Sequence, residues 1–213
     1  MTLSKVFDEP LYASWLVRNP GVFRPYRELL IEKFNIEVNK FGSPDPTSLL
    51  EKQIHDSILQ DTFNGRRIIF LKHIAKQADS IDISKLLNTD PNLVVRNDGL
   101  SCTIENRHII LVRNPLPMIS SWQKKATVHD EPCSLRTMGL PTLVDIYSEL
   151  RRMSSKKTIP IVVDSTLLSK NPRGVIFELC ERLQIPFDEK QLQWAKGPKP
   201  DIDGSRNCKN IVF

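Results

Sequence analysis

The four cysteines of this 213-residue chain, Cys102, Cys133, Cys180 and Cys208, stand far apart, and no Cys-x-x-Cys pair occurs. A disulfide framework and a thiolate zinc site are disfavoured, and a reducing compartment fits this usage. The four histidines, His55, His73, His108 and His129, also lack metal-ligand spacing, so no metal is expected. No apolar run approaches the roughly 20 residues that a membrane-spanning helix needs. The first ten residues show neither the apolar segment of a secretory signal nor the acid-free character of a transit peptide. These absences predict a cytoplasmic chain without membrane contact. No basic run is interleaved with aromatics, and the doublets Lys124-Lys125, Arg151-Arg152 and Lys156-Lys157 read as solvated helix ends. The net charge of +5 and pI near 9.0 help attract small anions, but no nucleic-acid partner is expected. No Gly-rich or Ser/Thr-rich loop stands at a predicted strand–helix junction.

What is present is ordinary globular material, with 40% hydrophobic and 26% charged residues. Strands and helices alternate. Val6–Phe7 closes a short strand ending at Asp8-Glu9-Pro10, and Leu11–Arg18 and Pro25–Phe34 read as helices. A further helix capped by Asp45 or Thr47 runs to Gln60, followed by an Asn64-Gly65 turn and a strand at Arg67–Leu71. Between Gln77 and Asn106 the pattern is harder to read, with a short helix near Ile83–Leu87 and turns at Asp90-Pro91 and Asn97-Asp98-Gly99. Beyond the polar loop Thr127–Met138, Pro141 opens an amphipathic helix with Leu143, Val144, Ile146, Tyr147 and Leu150 available for burial. A strand at Ile159–Val163, a loop, and a helix from about Pro172 to Leu183 complete the pattern. The alternation predicts an α/β fold: a three-layer, mostly parallel sheet flanked by helices. With no repeat and no linker, one domain is expected over residues 1–200, with 201–213 a loosely ordered tail.

The most informative stretch is Arg107–Trp122. Ile109–Val112 is too short for a helix and rich in β-branched residues, as a buried strand of a parallel sheet should be. Arg113 falls at its carboxyl end, and Pro115 suits a helix opening because its missing N–H is not needed there. Ligands of open α/β sheets gather at strand carboxyl ends, and helix N-termini attract anions. Arg113 with Ser120 and Ser121 therefore has the parts of a phosphate clamp. The alternative is an arginine paired with a carboxylate and serines facing a neighbouring helix.

Four segments resemble the P-loop sulfotransferase superfamily, and most closely the sulfotransferase-like proteins of bacteria and plants. Some of those are fused to branched-chain-aminotransferase-like domains. The segments are Val6–Ala13, Phe70–Gln77, Ile110–Pro115 with Ser121, and Asp164 through Asn171-Pro172 to Ile185-Pro186-Phe187, extended by Trp194 and Gly197–Pro200. The resemblance implies the P-loop fold and transfer of a sulfuryl group from 3′-phosphoadenosine 5′-phosphosulfate to a small-molecule acceptor. It implies that Arg113 and Ser121 hold the 3′-phosphate of that donor or of its 3′,5′-diphosphate product. It makes His73 the base that takes the acceptor's proton, with Lys72 beside it. The family's familiar form has one residue between that lysine and histidine, whereas Lys72 and His73 are adjacent. Asp8 and Glu9 read as caps of the helix after Pro10, with orientation of an acceptor or a loop as the alternative, and Asp164 reads as a cap or turn residue.

The family's first strand and phosphate loop should precede Val6, where only five residues stand. The expectation is a chain without that strand and loop, sulfotransferase-like in ancestry. The alternatives are a non-catalytic nucleotide-binding or interaction module, or a truncated product of a longer P-loop protein. Self-association through the incomplete sheet would follow. No residue resembles a lysine-bearing pyridoxal-phosphate site, so the resemblance carries no aminotransferase activity.

Overall fold

Short apolar runs at Ser4–Asp8 and Ile68–Lys72 form strands β1 and β2, joined in parallel in the computed structural model, which describes residues 4–9, 11–21, 68–78, 94–97, 100–103, 106–129, 133–155 and 158–193. The helices expected at Pro25–Phe34, up to Gln60 and near Ile83–Leu87, the Asn64-Gly65 turn, Trp194 and the 201–213 tail lie outside these residues. The described residues gather into two compact units.

In the first unit β1 and β2 pair from Ser4 opposite Ile68 to Asp8 opposite Lys72. Parallel partners require a long crossover, and this one begins with helix α1, Tyr12–Arg18. Leu11, Trp15 and Leu16 are buried, a spacing that puts them on one helical face. Each contributes roughly 1.5–3 kcal/mol of apolar burial. The helix stops at Asn19, whose backbone N–H and Nδ2 both donate to the Trp15 carbonyl, at 3.0 and 2.8 Å. After β2 the chain makes a short 3₁₀ turn, Ala75–Ala78. A polar turn at Ser134–Gly139 belongs to the same unit, with Ser134 and Thr137 exchanging backbone-to-hydroxyl hydrogen bonds.

In the second unit strands β3 (Val94–Asn97) and β4 (Leu100–Thr103) form an antiparallel pair in a region the sequence left without strands. The Asn97-Asp98-Gly99 turn signal lies between them, as a tight hairpin requires. Strand β5 (Ile109–Val112) pairs in parallel with β6 (Ile161–Asp164), from Ile109 opposite Ile161 to Val112 opposite Asp164. Two of the three strand pairs among the described residues are therefore parallel, and helices follow both strands of the β5–β6 pair. This is the α/β pattern.

Three local expectations need correction. Ile109–Val112 is not buried throughout: Ile110 is, but Leu111 is 56% exposed, because β5 has one strand partner among the described residues. Helix α2, Pro115–His129, continues into the stretch expected as a polar loop. Helix α3, Leu140–Met153, buries Leu150 but leaves Val144 and Tyr147 exposed.

The segment after β6, expected as a loop, contains helix α4, Ser165–Lys170. Asp164 caps it, accepting from the Thr166 N–H at 2.6 Å. Asn171 closes α4 and caps α5 (Pro172–Leu183), accepting from the Gly174 N–H at 3.0 Å, with Pro172 in the first turn. Helix α5 ends at Gln184 in the left-handed conformation, φ 57°. Its Cys180 thiol is buried, and that burial pushes its pKa up from the ordinary 9.0.

Candidate functional site

Arg113 is the first residue past the carboxyl end of β5, and its side chain is exposed. Ser121 sits half-buried on α2, and Ser120 beside it is exposed. Neither the Arg113 guanidinium nor the Ser121 hydroxyl has a hydrogen-bond or ion-pair partner among the described residues. The carboxylate partner that the alternative reading gave to Arg113 is therefore not found among them.

The start of α2 differs from an ordinary anion seat. Helix N-termini bind anions through backbone N–H groups left without intrahelical partners. Here Pro115 and Pro117 have no N–H at all. The N–H of Leu116, between them, donates to Asn114 Oδ1 at 3.0 Å. The first three helical residues thus offer no directional donor to a ligand, and the expectation of a helix-terminus seat is corrected on this point. Any anion held here depends on side chains.

A second cluster occupies the carboxyl ends of β1 and β2. Lys72 ends β2, and His73 follows it, exposed. Glu9 follows β1 and takes positive φ, 55°. Its N–H extends the parallel ladder by donating to the Lys72 carbonyl at 2.9 Å. One carboxylate oxygen accepts from Lys72 Nζ at 3.1 Å, and the other accepts from Gln77 Nε2 at 2.9 Å. Glu9 is therefore no side-chain cap for α1. The cap position falls on Leu11, whose hydrocarbon side chain makes no capping bond, and the Glu9 carboxylate is turned toward Lys72 and Gln77.

The segment carrying His73 is held on several sides. Arg18 donates to the Gln77 carbonyl at 2.9 Å, and the Lys76 ammonium lies 4.7 Å from the Trp15 ring centroid. Gly139, at φ 76°, packs so closely that a Cβ there would meet the Lys76 backbone nitrogen at 2.6 Å. Only glycine suits both the conformation and the approach. Gln77 is 2% exposed. Sequence reasoning did not single it out, since an amide in a polar run carries no signal of its own.

Two titrating groups flank β5 and β6. His108 lies just before β5, and burial holds its imidazole below the ordinary 6.5. Asp164 lies at the carboxyl end of β6, where the N–H groups of Thr166 and Leu167 hold its carboxyl below the ordinary 3.8. This is the capping role expected of it. A groove of about 130 Å³ between β6, α4 and α5 is lined by apolar side chains including Ile161, Val163, Leu167 and Leu179, together with Glu178 and Arg182. Among the described residues no cluster of three or more His, Cys, Asp or Glu side chains could hold a metal ion, and no helix is long and apolar enough to cross a membrane.

No family model matches the chain. The branched-chain-amino-acid aminotransferase-like protein 2 of Arabidopsis thaliana is 32% identical over 200 residues, which are 92% of this chain and 28% of that protein. The related protein 1 of the same plant is 34% identical over 198 residues, 93% of this chain and 29% of that protein. The chain thus spans less than a third of the length of the curated relatives it matches. Two solved structures resemble it: the sulfotransferase domain from the Synechococcus PCC 7002 olefin synthase, with TM-score 0.44, 17% identity, 89% of this chain and 75% of that chain, and the sulfotransferase domain from the curacin biosynthetic pathway, with TM-score 0.45, 14% identity, 98% of this chain and 82% of that chain.

Proposed function

We propose that this chain, which belongs with one segment of the plant branched-chain-aminotransferase-like proteins, is a sulfotransferase-like protein that binds a 3′-phosphoadenosine nucleotide through Arg113 and Ser121. The observation that carries the reading is the state of Arg113. A guanidinium at the carboxyl end of a parallel strand, exposed and without a partner among the described residues, is placed to meet a ligand. Its planar fork suits a phosphate, and the Ser121 hydroxyl adds a donor on the helix that follows. The sequence motifs around Ile110–Pro115 and Asn171–Phe187 support the same assignment.

When bound, 3′-phosphoadenosine 5′-phosphosulfate supplies an activated sulfuryl group. This chain's residues then have two tasks. Arg113 and Ser121 grip the 3′-phosphate, at the end of the nucleotide where no bond changes. His73 takes the proton from the hydroxyl or amine of a small-molecule acceptor, which imidazole does well near neutral pH.

Calorimetric titration with 3′-phosphoadenosine 5′-phosphate tests the binding step. Binding should be measurable and should weaken about 10- to 100-fold in Arg113→Ala, as for the loss of charge-assisted hydrogen bonds. No heat at millimolar nucleotide, or an unchanged affinity in the variant, overturns it. Sulfuryl transfer to a panel of hydroxyl and amine acceptors, lost in His73→Ala with nucleotide affinity intact, tests the catalytic step.

A second reading, a non-catalytic interaction module, is favoured by apolar exposure on the β5–β6 pair. Leu111 and Val162 are both about half exposed on neighbouring strands. Concentration-dependent dimerisation in light scattering supports this reading, and a stable monomer counts against it.

A further inference from the structure

Two unfavourable features bracket one hydrogen bond in the first unit. Glu9 takes φ 55°, a conformation that non-glycine residues adopt at a cost, and it precedes Pro10, whose ring further restricts the preceding backbone. On the other side, Gln77 Oε1 is buried without a hydrogen-bond partner. The amide cannot be turned over to relieve this, because its oxygen would then face the Glu9 carboxylate in place of Nε2. Both features persist around the Gln77–Glu9 hydrogen bond of 2.9 Å and the Glu9–Lys72 ion pair of 3.1 Å. Local strain that the surroundings maintain at the carboxyl end of a strand is a mark of a constrained functional group.

We infer that Glu9 is a positioning residue, braced by Gln77, whose carboxylate fixes the ammonium of Lys72 at the carboxyl end of β2. The lysine side chain is 50% exposed and the glutamate 26%, so the pair is reachable from solvent while the brace behind it is dry. Lys72 is thereby held as a charged group of set direction beside His73. A free surface lysine would lack that direction. The bearing of this arrangement on sulfuryl transfer rests on the function proposed above, but the arrangement itself is testable without nucleotide or acceptor.

The test is the acylation rate of individual lysines by an acetyl N-hydroxysuccinimide ester, read by mass spectrometry on the full chain. Lys190, exposed and without a side-chain partner among the described residues, is the internal reference. In the wild-type protein Lys72 should react about threefold more slowly than Lys190, a ratio that a half-exposed ion pair can hold. Glu9→Gln should narrow the difference, and Glu9→Asp should restore part of it.

Gln77→Met separates positioning from packing. It removes the brace and the orphaned acceptor together, so the melting temperature should hold while Lys72 speeds up. Should Glu9→Gln fail to fold, the Gln77→Met protein and a salt titration of the wild type make the same comparison, with Lys72 gaining on Lys190 as salt screens the pair. Equal rates for Lys72 and Lys190 in the wild type overturn the inference. So does a Lys72 rate unmoved by Gln77→Met or by salt. Absence of nucleotide binding would sink the proposed function and leave these rates untouched.

Discussion

The carboxyl ends of β2 and β5 each carry a long cation, and the molecule treats them in opposite ways. Lys72 is tied to Glu9, which is tied to Gln77, and the loop beyond is pinned by Arg18, Trp15 and Gly139. Arg113 is tied to nothing among the described residues, and the helix after it starts with its donors missing or used. One strand end spends its polar groups on itself. The other keeps a charge in reserve. A binding role is more readily argued for the second, and a role in holding geometry for the first.

The contrast can be broken most sharply at Arg113. Reversal of charge in Arg113→Glu should abolish binding of 3′-phosphoadenosine 5′-phosphate in calorimetry, while the melting temperature stays near wild type because Arg113 makes no hydrogen bond or ion pair with the described residues. The opposite outcome is expected at Gly139→Ala, which forces a Cβ toward the Lys76 backbone at positive φ. A loss of about 2 kcal/mol in denaturant unfolding should follow.

Smaller effects sharpen the comparison within the second unit. Asn171→Ala removes the side-chain cap of α5, leaving the backbone closure of α4 in place, and should cost about 1 kcal/mol by the same measurement. The smallest effect concerns the amino end of β5. Burial lowers the His108 pKa from 6.5, so below that value the unfolded chain takes up a proton before the folded chain does. Stability is full above pH 6.5 and declines as pH falls through that value toward the folded-state pKa. In His108→Phe this part of the decline in melting temperature should vanish.

Elements with strong local signals were legible in the sequence. The β-branched run Ile109–Val112 and the prolines at 115 and 172 place β5 and the starts of α2 and α5 where the structure has them, since those cues act within a few residues. The hairpin β3–β4 was missed because each strand is four residues long and is defined by its partner. Helix α4 was missed because one turn and a half of Ser-Thr-Leu-Leu-Ser-Lys reads as loop until Asp164 is seen to cap it. In the candidate site, the place of Arg113 was legible and the donor shortage at α2 was half legible. Pro115 and Pro117 stood in the sequence, but the Asn114 contact needed coordinates. The Glu9–Gln77 contact joins residues 68 positions apart, a separation that no local pattern reports.

The closed start of α2 has a consequence for selectivity. Backbone amides in a fixed array recognise an anion by shape, with little dependence on its total charge. A grip made of one guanidinium and one hydroxyl is mobile and recognises mainly charge. At the proposed Arg113–Ser121 grip, a dianionic phosphate should outcompete a monoanionic sulfate ester of similar size. The preference should shrink as ionic strength rises and the screening length falls toward the width of the contact.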